Sequence, residues 1–226
     1  MATSSVTPPT ITLGIDVSHF QGEVDWATVA GAGVAFAFTK ATDGVAGVDA
    51  KFSENWSGIS AAGLVRGAYH FFRPALDASA QASHFCDTVG ALNPGDLPPV
   101  LDIEEAMSQG VDTWDAVPAD QRVPLILTWL QAVEARLGRR PIVYTAPGFA
   151  GSKLPNAAQL GRYPLWVAHY TTHTSPTVPS AWSNWAFWQY SGTGSMDGVT
   201  GQVDLDRFQG TTDDLASFTS PAAASA

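Results

Sequence analysis

Short apolar runs alternate with segments of helical spacing along the first two thirds of the chain. The runs are rich in β-branched and aromatic residues and predict eight strands, near residues 11–17, 34–39, 65–71, 100–103, 142–144, 165–168, 185–190 and 203–205. Apolar residues at helical spacing predict helices over 25–32, 52–62, 75–89 and 118–137. After about residue 145 the helical signal fades, and loops rich in Pro and Gly join the last strands.

This order of elements predicts an α/β fold. Strands that alternate with helices favour a single closed barrel of parallel strands, here with reduced helices in the C-terminal third. We assign residues 11–213 to the barrel domain. Residues 1–10 and 214–226 are small, contain Pro and lack periodicity, so we expect a flexible N-terminal tail and a C-terminal tail or linker remnant.

Polar residues stand where the predicted strands end. Barrels of this kind build their sites at the carboxyl ends of their strands, so these residues are candidates for one common site, although a single strand-end polar residue can simply meet water. In strand order they are Asp16, Lys40, Tyr69 and His70, Asp102 and Glu104, Tyr144, His169 and Tyr170, Gln189 and Tyr190, and Asp204 and Asp206.

The fourth predicted strand carries the most informative pair. Asp102 and Glu104 are two positions apart, so they share a face of the strand while Ile103 packs behind them. Two carboxyl groups this close do not both ionise freely, and one of them should have a raised pKa. A carboxyl group that keeps its proton is what a general acid needs when a sugar oxygen leaves. We expect Glu104 to be that acid.

Composition narrows the class of substrate. The chain has 21 acidic and 11 basic residues and a net charge of -10, which argues against a nucleic-acid partner because phosphates require a basic surface. Its 8 Trp residues suit a surface that binds flat, partly apolar ligands, although any single ring is more often part of the core. The sequence also has no run of about 20 apolar residues, so we expect no membrane span. Its first residues lack the basic and apolar regions of a signal peptide.

Five ordered segments resemble glycoside hydrolase family 25, the Chalaropsis-type muramidases. The segments are GIDVSHFQG (14–22) with VDW (24–26), FTKATDG (38–44), GAYHFFRP (67–74), LDIE (101–104), and WQY (188–190) followed by GQVDLDRF (201–208). The resemblance runs from about residue 14 to residue 210. A lone D-x-E is a weak signal, whereas the ordered set is specific.

The resemblance implies a lysozyme that hydrolyses the β-1,4 bond between N-acetylmuramic acid and N-acetylglucosamine in bacterial peptidoglycan. It implies a flattened TIM-like barrel, no metal and no cofactor. The Glu of the family's D-x-E pair is the acid/base and corresponds to Glu104, and the acidic cluster corresponds to Asp16, Asp102 and Asp204. As substrate-binding residues we expect Lys40, Tyr69, His70, Tyr144, Trp166, His169, Tyr170 and Gln189. We expect a monomer that acts outside the cell, as a secreted enzyme or as a phage endolysin.

The sequence leaves the mechanism open. A retaining glycosidase with a protein nucleophile needs carboxyl groups about 5 to 5.5 Å apart, and an inverting one about 6.5 to 9.5 Å. By analogy with other D-x-E enzymes we favour a third route, in which the 2-acetamido oxygen of the substrate attacks the anomeric carbon while Asp102 orients it. A chitinase-like D-x-E glycosidase and a non-catalytic wall-binding protein remain alternatives.

Two further features bear on the site. Asp16, Asp204, His70 and His169 are metal-ligating residue types, but they include no local pair such as His-x-x-x-His, and cleavage by paired carboxyl groups needs no metal. The chain also departs from the family pattern. Phe20 stands where Trp or Tyr is common, and Asp206 stands where Asn is common.

Overall fold

Eight strands join side by side and close into a barrel. The computed structural model describes residues 10–219. Its strands are β1 (Ile11–Val17), β2 (Phe36–Asp43), β3 (Gly47–Val48), β4 (Val65–Phe71), β5 (Val100–Asp102), β6 (Met107–Ser108), β7 (Val111–Asp112), β8 (Ile142–Thr145), β9 (Leu165–Ala168), β10 (Phe187–Gly194) and β11 (Val203–Gln209). The order around the barrel is β1, β2, β4, β5, β8, β9, β10 and β11, and β11 pairs back onto β1.

The helices lie outside the barrel. They are α1 (Trp26–Gly31), α2 (Phe52–Ala61), α3 (Ala78–Val89), α4 (Ala119–Leu137), α5 (Pro147–Lys153) and α6 (Thr212–Phe218). The four helices expected from periodicity are α1 to α4. Later connections, at residues 169–186 and 195–202, are loops, which confirms the expected reduction of helices in the C-terminal third. No helix within residues 10–219 is long and apolar enough to cross a membrane.

The last strand corrects the expectation of a uniformly parallel barrel. β11 is antiparallel to both of its neighbours, β1 and β10. The other neighbouring pairs in the barrel are parallel. The reason lies in the connection, because residues 195–202 join β10 to β11 without the helical crossover that a parallel neighbour requires.

The C-terminal boundary placed at residue 213 falls inside α6. Leu215 of this helix is fully buried, and the Phe218 ring packs 5.5 Å from the Phe187 ring of the barrel. Thr211 and Asp214 cap the helix reciprocally, because each side chain accepts a hydrogen bond from the other's backbone N–H. Residues 214–219 therefore pack with the barrel. Residues 1–9 and 220–226 of the two expected tails lie outside the described residues.

Aromatic rings fill the lower part of the barrel interior. Phe36 and Phe38 of β2 contact Phe187 of β10 at ring distances of 5.2 and 5.1 Å. Two glycines make room for them: a Cβ at Gly14 would lie 2.3 Å from the Phe36 ring, and one at Gly67 would lie 2.3 Å from the Phe38 ring. The result is a solid apolar floor on which a polar layer can rest.

Candidate active site

The polar layer follows from the two-residue period of the strands. On five of the strands an inward residue of the floor precedes an inward polar residue by two positions. The pairs are Gly14 and Asp16 on β1, Gly67 and Tyr69 on β4, Val100 and Asp102 on β5, Ile142 and Tyr144 on β8, and Phe187 and Gln189 on β10. The strand register then sets these polar residues side by side; for example, Asp102 pairs with Tyr144.

These side chains enclose a cavity of about 90 Å³ at the carboxyl ends of the strands. Eight of the twelve residues expected at the site line it: Asp16, Tyr69, Asp102, Glu104, Tyr144, Trp166, Gln189 and Asp204. Seven of the eight lie on seven different strands, and the barrel closure brings them together.

Asp102 and Glu104 both face this cavity, as their spacing predicts. Asp102 is buried, and no hydrogen-bond donor of the described residues reaches its Oδ1 atom. Burial, and next the negative charge of Glu104, raises the pKa of Asp102 well above its ordinary value. Burial also raises the pKa of Glu104, although the Lys40 charge opposes the shift. The sequence predicted one raised pKa, whereas the structure raises both.

Asp16 is held by a chain of side-chain hydrogen bonds. The hydroxyl groups of Tyr144 and Tyr170 both donate to Gln189 Oε1, at 2.8 and 2.7 Å. Gln189 Nε2 in turn donates to Asp16 Oδ2 at 2.7 Å. Because the amide oxygen receives both hydroxyl groups, the amide nitrogen is directed at Asp16, and the carboxyl group is fixed at the cavity wall.

The last strand adds two more carboxyl groups. Burial raises the pKa of Asp204 to about 6. Asp206, two positions further on, is fully buried and accepts a hydrogen bond from Trp166 Nε1 at 2.9 Å. Asp206 was among the strand-end candidates but was given no catalytic or binding role, although its spacing of two from Asp204 places both on the same face of the strand.

Trp166 forms the floor of the cavity. Its ring stacks on Phe38 at 4.3 Å, meets the edge of Tyr144 at 4.7 Å, and uses its N–H for Asp206. It is only 2% exposed, so it does not offer the open ring face that sugar stacking requires. Tyr170 is 60% exposed at the rim and has an accessible ring.

His70 points away from the cavity, which corrects its expected role in substrate binding. It follows the inward Tyr69 directly, so it faces the opposite side of β4. Its ring is fully buried against Trp129 and bonds with Thr42 Oγ1 at 2.7 Å and Gln81 Oε1 at 3.1 Å. Because His70 faces away from the cavity, it cannot form a metal site with Asp16 and Asp204.

Lys40 and His169 lie beside the cavity and do not line it. Lys40 Nζ is 3.2 Å from Asp43 Oδ2, in a neighbouring depression of about 300 Å³. Its charge still opposes the rise in the pKa of Asp102 and Glu104. His169 uses Nδ1 to accept the backbone N–H of Thr177 at 2.9 Å, so its ring holds the loop that follows β9.

The family model described as glycosyl hydrolases family 25 matches residues 15–199 of this chain. The chain belongs to glycosyl hydrolase family 25. This confirms the resemblance and makes the protein a glycoside hydrolase. Lysozyme M1 of Streptomyces globisporus is 39% identical to this family 25 hydrolase over 212 residues, which cover 87% of this chain and 67% of that protein. An uncharacterized protein of Escherichia coli, YegX, is 40% identical over 210 residues, covering 91% and 72%.

A solved structure supports the same fold. The bacterial lysozyme from Streptomyces coelicolor superimposes with a TM-score of 0.87 and 37% identity, covering 92% of this chain and 96% of that one. The expected TIM-like barrel is therefore confirmed.

Proposed function

We propose that this family 25 hydrolase is an N-acetylmuramidase that cleaves the β-1,4 bond after N-acetylmuramic acid in bacterial peptidoglycan. The observation that carries the proposal is the pair Asp102 and Glu104 at the barrel mouth, both with a raised pKa. Lysozyme relatives that cover most of the chain support the substrate class. The enzyme then acts on the cell wall, outside the cytoplasm.

Glu104 is the proposed acid/base. Its side chain is buried less completely than that of Asp102, so it can reach a glycosidic oxygen that enters from solvent. Its raised pKa favours the protonated form, from which it can donate a proton to the leaving oxygen. After departure the resulting carboxylate can take a proton from water.

Asp102 is the proposed orienting group. Its Oδ1 atom is a buried acceptor that lacks a donor among the described residues, and such an atom is costly unless a partner arrives. The N–H of the substrate's 2-acetamido group is a donor of the right kind. Accepting it would turn the acetamido oxygen toward the anomeric carbon, which leads to retention of configuration. Trapping of a covalent sugar adduct on Asp102 or Asp16 would contradict this route.

The remaining residues of the cavity are proposed to bind the sugar. Tyr69, Tyr144 and Gln189 present polar atoms inside the cavity, and Tyr170 offers an open ring at its rim. Lys40 acts from the side through its charge. Asp16 and Asp204 complete the acidic wall opposite the entering sugar.

The experiment is a product analysis of the purified protein on two polymers. Peptidoglycan and chitin are each digested, and the soluble products are reduced and analysed by mass spectrometry. We expect muropeptides with muramic acid at the reducing end, and no release from chitin. Chitooligosaccharides, with peptidoglycan left intact, would show the chitinase-like alternative. Peptidoglycan that is bound and left uncut would show a wall-binding protein.

A further inference from the structure

Asp206 lies against Asp16 inside the barrel. The register of β1 and β11 pairs Gly14 with Asp206 and Asp16 with Asp204, so Asp16 and Asp206 occupy diagonal positions on the barrel-facing side. The two carboxyl groups are close enough for each to shift the pKa of the other. Two ionised carboxylates offer each other only acceptor atoms, so a hydrogen bond between them requires a proton on one of them.

The partners of the two groups indicate which one carries it. Asp16 Oδ2 receives the N–H of Gln189, whose orientation is fixed by two tyrosine hydroxyl groups. This donor lowers the pKa of Asp16 at a position that borders the cavity, against the larger effects of burial and of the Asp206 and Asp204 charges, which raise it. Asp206 is completely buried, and its Oδ2 atom receives no donor from the described residues. The proton therefore belongs on Asp206 Oδ2, from which it is donated to Asp16.

The charges around the pair favour a single negative charge. The charge of Asp204, on the same strand as Asp206, raises the pKa of both members. Asp102 and Glu104 line the same cavity as Asp16, together with the phenols of Tyr69 and Tyr144. The positive charge of Lys40 acts on Asp102 and Glu104. Two adjacent buried anions would thus face a third acidic group, which is strongly unfavourable.

We propose that Asp206 is a positioning residue that works as a neutral carboxylic acid and holds the Asp16 carboxylate at the wall of the substrate cavity. The proposal rests on the muramidase function proposed above. In this role the protonated Asp206 side chain donates a hydrogen bond, at a position where the family commonly has the amide of Asn. Unlike an amide, the Asp206 side chain stops donating when it ionises.

Ionisation sets the expected pH dependence. Burial raises the pKa of Asp206 to about 8. Above that pH the proton leaves, two carboxylates repel each other, and Asp16 loses its position. Activity of the wild type should therefore fall on the alkaline side.

Two variants test the proposal through the pH profile of kcat. In Asp206→Asn the amide oxygen can still accept from Trp166 and the amide N–H can donate to Asp16, but the group cannot ionise. We expect kcat within about twofold of wild type near pH 6, and an alkaline decline reduced to the part that ionisation of Glu104 causes. Asp206→Leu removes the donor, and we expect kcat to fall about 10- to 100-fold at every pH, the cost of a lost hydrogen bond to a charged group. Asp213→Asn, at an exposed position of α6, is the matched control and should keep the wild-type profile.

Superimposable alkaline limbs for wild type and Asp206→Asn would overturn the proposal, as would full activity of Asp206→Leu. The wild-type protein supplies a test that needs neither substrate nor variants. Carbon-13 NMR of its aspartate carboxyl groups should show a buried group that stays protonated at pH 7 and titrates near pH 8. Complete ionisation of every aspartate by pH 6 would also overturn the proposal. A wild type that cuts no peptidoglycan, but shows this titration, would instead contradict the proposed function.

Discussion

Trp114 donates its indole N–H to the backbone carbonyl oxygen of Glu104 at 2.8 Å. Trp114 is fully buried between Phe72 and Phe149, so it anchors the chain just past β5 to the packed layer outside the barrel. The proposed acid/base thus lies on a segment that leaves the strand but is still fixed by a buried ring.

The anchor predicts an effect on catalysis that exceeds its effect on folding. In Trp114→Phe the ring packing is largely kept and the hydrogen bond is lost, so we expect kcat to fall about 2- to 10-fold, the usual worth of one such bond. Steady-state kinetics on peptidoglycan fragments measures it. Trp129→Phe is the matched control, because Trp129 Nε1 is buried and bonds to nothing among the described residues. Equal losses of kcat in both variants would contradict the anchoring role.

His70 should matter for acid stability and not for substrate binding. Burial lowers its pKa to about 4, whereas in the unfolded chain it titrates near its ordinary value of 6.5. Below pH 6.5 the unfolded chain gains a proton that the folded protein does not accept. The stability that the neutral ring provides is therefore complete above pH 6.5 and declines as the pH falls toward 4.

The variant His70→Phe tests this through Tm and KM. It removes the titrating ring and keeps an aromatic group against Trp129, so we expect a lower Tm at pH 7 but a smaller loss of Tm between pH 6.5 and pH 4. KM for peptidoglycan should not change. His173→Gln, at an exposed position, is the control and should follow the wild type. A several-fold increase of KM in His70→Phe, with Tm unchanged, would restore the binding role that the sequence suggested.

Gly14 should be required for the packing of the aromatic floor of the barrel. An alanine there places Cβ 2.3 Å from the Phe36 ring, and the ring is held by Phe38 and Phe187, so it cannot move aside freely. We expect Gly14→Ala to lower the free energy of unfolding by about 1 to 3 kcal/mol, the usual cost of overpacking. Denaturant unfolding measures it. In Gly31→Ala nothing lies within 4 Å of the added atom, so this variant should unfold at the same denaturant concentration as the wild type or at a slightly higher one. Equal stability of the two variants would contradict the packing argument.

Much of the site follows from sequence because strand periodicity and strand ends are local signals. Apolar runs that end in polar residues indicated Asp16, Asp102 and Gln189 as site residues. Closure of the barrel then brings these residues to one cavity. The same rule excludes His70 once Tyr69 is placed, since neighbouring residues of a strand face opposite sides. Treating both as inward residues neglected that constraint.

Other features depend on contacts that no local pattern records. The direction of β11 depends on the path by which residues 195–202 connect it to β10. The neutral state proposed for Asp206 depends on how close it lies to Asp16 in the folded barrel. The helix α6 did leave a signal, since Thr211 and Asp214 have the spacing of a capping box, but its short apolar face resembled a tail.

The central claim is that Glu104 provides the proton for glycosidic cleavage. The most direct measurement compares the wild type with Glu104→Gln and Glu105→Gln by mass spectrometry of the muropeptides each releases over time. Glu105 is exposed and adjacent in sequence, so it controls for the same chemical change outside the cavity. We predict that Glu104→Gln releases muropeptides at least about 100-fold more slowly, because general acid catalysis contributes about that much or more, and that Glu105→Gln matches the wild type. A Glu104→Gln variant that folds and cuts peptidoglycan at the wild-type rate would contradict the account.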